Sequence, residues 1–305
     1  MNFYTYLDSW TIVKNRKEVP PEMTTEDFYT IIGRSASQAN DPFTFRQTYG
    51  EVSWIALKRP YYSVWPKIVP LLCKLDLSKV ISSQIKLPLD TICLRFAQDV
   101  PSILDFDWGG KRWNVRCVMA SMQPVTSGPG TPLGRGITIW TDFGETVSRP
   151  DGIKVPVFEF RNFPLRDEYT VDVAIHHLPW HQSKDQGVQP PMKVLDDIVR
   201  LVCTICLMGN DPDLIEPDIL SADQEKYNSG DAVLIERLID KAKRRGKFGF
   251  NVGRNLDVSP HYRRAHPALM WTGHGRIVPR VVMRKGAMIH RDLVEKVPTG
   301  HQGAE

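Results

Sequence analysis

A chain of 305 residues is long enough for one large domain or two ordinary ones. Its 42% hydrophobic and 24% charged residues exclude wholesale disorder, and its net charge of +4 is modest. Five scattered cysteines exclude a disulfide framework and indicate free thiols in a reducing compartment. The longest apolar run, Leu201 to Met208, is too short to cross a bilayer. We therefore expect a cytoplasmic protein that makes no membrane contact.

The first sixty residues are aromatic and rich in turns. Their pattern predicts a helix over about Thr25–Ser37, which Thr24 or Thr25 can cap and whose first turn contains Glu26 and Asp27. A second, short helical stretch is expected after Tyr62, where Pro66 and Pro70 interrupt the chain.

From residue 89 the apolar residues alternate with polar ones, which is typical of strands. The predicted strands are Thr91–Phe96, Arg112–Met122, Gly136–Phe143, Lys154–Phe160 and Tyr169–Ile175. The segment Gln123–Arg135 is rich in Gly, Pro, Ser and Thr and is predicted to be a loop. Strands in direct succession favour an antiparallel sheet over alternating strand–helix units.

Two helices are predicted after these strands. Met192–Met208 is apolar on nearly all sides after Arg200, so its second half should be buried. Asp231–Arg245 has one apolar stripe, and Gly246 occupies the position of a C-terminal cap. Beyond them, Ile277–Met283 and Ala287–His290 are predicted to form a strand pair.

These elements predict an α+β fold, in which a central antiparallel sheet with packed helices is followed by a small basic β-rich C-terminal module. The predicted organisation is an aromatic-rich region at 1–88, a sheet with a buried helix at 89–228, and a helix with the basic module at 229–305.

The charge is distributed unevenly along the chain. From Lys241 to the end there are fourteen Lys/Arg and four Asp/Glu, whereas the remaining 240 residues have a net charge of −6. A basic segment of this kind favours a polyanionic partner, although it can also dock on the acidic part of its own chain.

The basic segment supplies the candidate binding residues. Arg and Lys can contact phosphates, and aromatic rings can stack on unpaired bases. The candidate nucleic-acid-binding residues are Lys241, Lys243, Arg244, Arg245, Lys247, Arg254, Tyr262, Trp271, Arg280, Arg284 and Lys285.

The same segment contains candidate catalytic residues within sixteen positions. Histidine can exchange a proton near neutral pH, and arginine can stabilise a phosphate, which together would suffice for metal-independent cleavage of RNA by its own 2′-hydroxyl. The candidates are His261, Arg263, Arg264, His266, His274 and Arg276. The alternative is that these side chains satisfy polar groups of a small structural subdomain.

Other motifs are weaker. Cys203 and Cys206 have CxxC spacing but lie in the most apolar helix, which favours buried thiols. His176, His177 and His181 could meet at a metal, but Pro179 prevents one helix from presenting them together, and we predict no metal site. Because no glycine motif has the context of a phosphate-binding loop, we also predict no cofactor.

The stretches GFNVGR, SPHYRRAHPALMWTGHGR, PRVVMRKGAMIH and VPTG lie between Gly249 and Gly300. This segment resembles the C-terminal part of uncharacterised proteins from phages and environmental bacteria. Its H-x-R-R-x-H and G-x-G-R arrangement is also similar to compact metal-independent ribonuclease toxins. The first resemblance implies a phage or bacterial protein, and the second implies phosphodiester cleavage.

The sequence thus predicts a protein that interacts with nucleic acid, with RNA placed ahead of DNA, through its basic C-terminal module. The alternatives are a metal-independent ribonuclease and a non-enzymatic phage accessory protein whose basic module binds an acidic protein. The oligomeric state is not indicated by any pattern in the chain.

Overall fold

The computed structural model describes residues 14–38, 42–57, 60–97, 100–127, 131–148, 154–177, 190–208, 214–218, 233, 237–238, 240–241, 249–253 and 266–284. Its helices are α1 (Thr25–Gln38), α2 (Pro42–Ala56), α3 (Val69–Cys73), α4 (Val171–His177) and α5 (Met192–Met208). Its strands are β1 (Tyr61–Val64), β2 (Thr91–Phe96), β3 (Phe106–Trp108), β4 (Lys111–Trp113), β5 (Cys117–Ser127), β6 (Thr131–Ser148), β7 (Lys154–Pro164), β8 (Ile215–Asp218), β9 (Gly249–Val252), β10 (His266–Thr272) and β11 (Val278–Arg284).

A seven-stranded sheet in the order β7-β6-β5-β2-β1-β9-β8 organises the molecule, so the α+β class is confirmed. The sheet is mixed, whereas an antiparallel sheet was predicted. β1 runs parallel to both β2 and β9, and the other neighbouring strands are antiparallel. Apolar alternation identifies a strand but does not specify its partner, and here β1 and β9 come from distant parts of the chain.

The two faces of the sheet are covered differently. On one face, Trp54 of α2 packs with Cys93, Cys117, Met119 and Trp140. On the other, α5 joins the larger core, and every residue of its second half, 201–208, is buried. The predicted bounds and burial of this helix are confirmed.

The N-terminal helix is also confirmed, because α1 begins at Thr25. The backbone N–H of Asp27 donates to Thr24 Oγ1 at 3.1 Å, and the Thr24 N–H donates to Asp27 Oδ2 at 2.9 Å. This reciprocal pair satisfies two N–H groups at the start of the helix.

The predicted strand Tyr169–Ile175 is wrong, because Val171–His177 forms helix α4. Thr170 begins the helix by accepting a hydrogen bond from the Val173 N–H at 3.4 Å, and Val171, Ala174 and Ile175 are buried on one side. The β-branched residues of this segment favour a strand. Its apolar residues reach the core only at helical spacing, so the segment forms a helix.

The predicted loop Gln123–Arg135 is wrong over most of its length, because β5 and β6 pair there as a long hairpin. Pro124 has no backbone N–H to donate. The sheet loses no hydrogen bond there, because β2 pairs with β5 only as far as Ser121. The predicted strand Arg112–Met122 is in fact two strands, since β4 ends at Trp113 and β5 begins at Cys117.

The C-terminal prediction is partly confirmed. β11 occupies the predicted strand Ile277–Met283, but its antiparallel partner is β10, which precedes it. The expected partner Ala287–His290 lies outside the described residues. Residues Val233, Arg237, Leu238, Asp240 and Lys241 are helical, as predicted for Asp231–Arg245. Of the helices described, none has both the length and the hydropathy of a membrane-spanning segment.

Candidate functional site

Apart from β9, which belongs to the central sheet, the longest described part of the basic C-terminal module is the β10–β11 hairpin. Its turn contains three residues with positive φ, namely Gly273 at 78°, Gly275 at 71° and Arg276 at 53°. Two glycines adopt this region without strain, and they let the chain reverse so that the Arg276 N–H donates to the Gly273 carbonyl at 3.0 Å. The GHGR sequence is therefore a tight, solvent-facing turn.

The hairpin has an inner and an outer face. Val281 is fully buried in the core cluster, and Leu269 and Trp271 pack against that cluster from the opposite strand. Met270 and Arg280 are directly opposite each other on the outer face, and both are exposed. Trp271, a candidate for base stacking, thus contributes much of its ring to the core.

The cations of the hairpin face solvent. His274, Arg276 and Arg280 are exposed. Within the described part of the chain, neither arginine has a carboxylate at ion-pair distance. Exposed apolar side chains surround these cations, with Ile277 at 65% and Val278 at 52% exposure. The result is a mixed surface of positive charge and apolar area.

The hairpin separates some of the candidate catalytic residues. His274 and Arg276 share the turn, whereas His266 and Arg284 pair at the other end of the hairpin. Six residue steps along β10 correspond to about 20 Å. The backbone of His266 therefore lies at the opposite end of the hairpin from the turn that contains Arg276.

The remaining candidates lie elsewhere. Lys241 is half-buried in its helical stretch and interacts with neighbouring groups. The other candidates lie outside the described residues: Lys243, Arg244, Arg245, Lys247, Arg254, His261, Tyr262, Arg263, Arg264 and Lys285.

The cysteine pair belongs to the core, as predicted. Cys203 and Cys206 are buried, and burial raises the pKa of Cys206 to about 12 and that of Cys203 well above its ordinary value. Among the described side chains, no three His, Cys, Asp or Glu residues are grouped as metal ligands. His176 Nδ1 lies 3.9 Å from Asp196 Oδ2, and His181 is outside the described residues.

A second candidate site was not predicted from the sequence. It is a cavity of about 590 Å³ at the end of the parallel strands β2, β1 and β9. The described residues that line it are Tyr61, Ser63, Val64, Trp65, Pro66, Lys67, Arg95, Phe96, Ala97, Val100 and Asn251. We call this space the strand-end cavity.

Arg95 is the most informative residue of the strand-end cavity. Its guanidinium carbon lies 4.2 Å from the centroid of the Tyr61 ring. The pKa of the neighbouring Cys93 thiol is lowered by its hydrogen bond with Cys117 and also by the Arg95 charge. A lone arginine in the apolar strand TICLRF was the one available sequence signal, but it gave no indication of its neighbours in space.

Comparisons with known proteins add little. No family model matches the chain, and no curated protein matches it. Among solved structures, the chain is similar to one described as the crystal structure of AcrVA2. The two share 15% sequence identity, with a TM-score of 0.48, over 86% of this chain and 82% of that one.

Proposed function

We propose that this protein binds single-stranded RNA through the basic surface of its C-terminal module. The observation that carries the proposal is the exposed β10–β11 hairpin, where Arg276 and Arg280 face solvent and form no ion pair within the described residues. A guanidinium in this setting can contact a phosphate without first giving up a carboxylate partner.

The charge of the whole chain supports the same partner. The residues from Lys241 onward carry a net charge of +10, and a polyanion is the natural ligand of such a segment. The acidic remainder of the chain, at −6, would repel a polyanion, so it would confine binding to the C-terminal module.

The apolar residues favour a single strand. Met270, Ile277 and Val278 are exposed beside the cations, and unpaired bases can pack on apolar side chains that the stacked bases of a duplex cannot reach. RNA is placed ahead of DNA because proteins read sequence in RNA mostly at such unpaired bases.

The test is a binding titration by fluorescence anisotropy, with a labelled single-stranded RNA of mixed sequence at several salt concentrations. The double variant Arg276→Gln/Arg280→Gln should bind at least tenfold more weakly. Loss of two phosphate contacts should also reduce the slope of log K against log salt by about 1.4.

The matched control is Arg34→Gln/Lys17→Gln, which removes two positive charges from exposed positions that make no recorded contact with the hairpin. It should bind like the unaltered protein. Equal weakening by both double variants would show that net charge alone matters, which contradicts the proposed surface. Binding that does not respond to salt would also contradict it and would leave an acidic protein as the partner to pursue.

A further inference from the structure

The strand-end cavity lies where a sheet of this kind can hold a ligand. β1 is the middle of three parallel strands, and the chain reaches β2 on one side of it and β9 on the other. Ligands of open sheets bind beyond the carboxyl ends of parallel strands at such a change of direction. Trp65, Pro66 and Lys67 follow the end of β1 directly and line the cavity.

The register of the strands places the polar groups of the cavity side by side. Ser63 is aligned with Arg95 on β2 and with Asn251 on β9. The alternate residues Tyr62 and Phe250 stack on the core side, with ring centroids 4.8 Å apart. A guanidinium, a hydroxyl and an amide therefore form a row across three strands on the other side of the sheet.

The cavity carries positive charge. Arg95 and Lys67 are its ionisable cations, and the described lining includes no Asp or Glu. One face of the Arg95 guanidinium is covered by the Tyr61 ring, and Arg95 also forms a hydrogen bond with the Cys93 thiol. Its other N–H groups can donate to an oxyanion. An anion is the complementary ligand.

The remaining wall is apolar and aromatic. Trp65 and Val100 line the cavity and remain 44% and 43% exposed, and Phe96 lies at the end of β2. A large ring exposed at the rim of a charged cavity is suited to covering a planar group of a ligand. The volume of about 590 Å³ is within the range of sites for small organic molecules.

We propose that the strand-end cavity binds an organic phosphate of nucleoside monophosphate size. Arg95 and Lys67 hold the phosphate, Ser63 and Asn251 donate hydrogen bonds, and the planar ring lies against Trp65. This site is separate from the RNA-binding surface and does not depend on it.

Isothermal titration of the full chain with adenosine 5′-monophosphate, adenosine and inorganic phosphate tests this ligand. The monophosphate should bind at least tenfold more tightly than either of the other two, because only it engages both the cations and the aromatic wall. Adenosine binding as tightly as the monophosphate would overturn the phosphate site. Inorganic phosphate binding as tightly would overturn the role of the ring.

Variants locate the binding. Arg95→Gln should weaken monophosphate binding at least tenfold, and Lys67→Gln several-fold. Lys74→Gln, an exposed lysine just beyond α3, should leave it unchanged. Far-ultraviolet circular dichroism reports whether each variant folds. If Arg95→Gln does not fold, Lys67→Gln alone tests the site, because Lys67 is exposed and its substitution should not disturb the fold.

The hairpin variant Arg276→Gln/Arg280→Gln separates the two proposals. It should bind the monophosphate as well as the unaltered protein does. Monophosphate affinity that falls in the hairpin variant but not in Arg95→Gln or Lys67→Gln would overturn the cavity as the site. Absence of monophosphate binding by the unaltered protein would also overturn it.

Discussion

The guanidinium of Arg95 lies over the ring of Tyr61, with 4.2 Å between its central carbon and the ring centroid. The two residues are on neighbouring parallel strands, and Tyr61 is aligned in turn with Gly249 on the third. An ideal Cβ at Gly249 would be 2.4 Å from Tyr61 Cε2, so the ring rests on the glycine backbone. Three strands thus fix the position of one cation.

This arrangement predicts that Tyr61 supports ligand binding without supplying charge. Tyr61→Leu should weaken monophosphate binding several-fold, because a cation over an aromatic ring is stabilised by about 0.5–2 kcal/mol. Tyr61→Phe keeps the ring and should bind nearly as well as the unaltered protein. Calorimetric titration of the two variants checks this, and equal losses in both would assign the effect to the hydroxyl.

Gly249→Ala should also weaken monophosphate binding, because it displaces the Tyr61 ring that supports Arg95. Its new methyl group would force the Tyr61 ring to move, since the distance of 2.4 Å is shorter than any carbon–carbon contact between unbonded atoms. Titration with adenosine 5′-monophosphate should show a several-fold loss of affinity. Unchanged affinity in a folded Gly249→Ala protein would show that the ring is not needed in this position.

Two helix glycines should respond to alanine in opposite directions. A Cβ at Gly50 of α2 would lie 2.2 Å from Trp140 Cη2, which is buried beneath the helix. Gly50→Ala should therefore lower the free energy of unfolding by about 1–3 kcal/mol. Urea denaturation followed by tryptophan fluorescence measures the change.

Gly33 of α1 is the matched control. The atom nearest to a Cβ added there would be Thr48 Cγ2 at 3.8 Å, which is an ordinary van der Waals contact. Gly33→Ala should raise the free energy of unfolding by about 0.5–1 kcal/mol, since alanine is the better helix former. Destabilisation at both positions would contradict the close contact as the cause at Gly50.

Removal of the helix cap should destabilise α1. Thr24→Ala should lower the free energy of unfolding by about 1 kcal/mol, as is typical for loss of an N-cap hydroxyl. Ser35→Ala, an exposed change within the same helix, should be neutral or slightly stabilising. Urea denaturation of the two variants checks both expectations.

The hydrogen bonds of the cap should also affect how the stability of the protein depends on pH. The hydrogen bonds from Thr24 lower the pKa of the Asp27 carboxyl below its ordinary value of 3.8. A lowered folded-state pKa gives stability that is present above the unfolded value and lost as the pH falls through the folded one. In Thr24→Ala, an NMR titration should show the Asp27 pKa moving upward, and an unmoved pKa would mean that the cap does not hold the carboxylate.

The buried thiols should make the fold sensitive to alkali. Burial raises the pKa of Cys73 and of Cys206 from 9.0 to about 12. A raised folded-state pKa gives stability that is complete below pH 9 and declines as the pH rises towards 12. The decline should approach roughly 1.4 kcal/mol per thiol per pH unit, as measured by urea denaturation at pH 8 and pH 10.5.

Cys206→Ala provides the control, because it removes one of these thiols and should reduce the alkaline decline. Thiol labelling at pH 8 gives an independent measurement. All five cysteines are buried, so the folded protein should react slowly and the unfolded protein with five equivalents of reagent. Rapid labelling of the folded protein would contradict the burial.

Secondary structure was predictable where local signals agreed with one another. α1 and α5 were predicted almost to the residue, because a capping threonine and a long apolar stretch each specify a helix locally. α4 was not, since Val171, Ala174 and Ile175 are compatible with a strand until the segment packs against α5 and β7. The sequence shows which residues are apolar, and tertiary contacts select among the elements that can bury them.

The same distinction between local sequence and tertiary structure holds for the basic C-terminal module and for the strand-end cavity. The amino-acid sequence by itself determined the concentration of positive charge after Lys241, because charge depends only on residue type. The tertiary structure alone decided that Arg276 and Arg280 face solvent while Trp271 turns inward. It also decided that Tyr61, Arg95 and Asn251 line one cavity, because parallel strands joined by long connections bring together residues that no local pattern links.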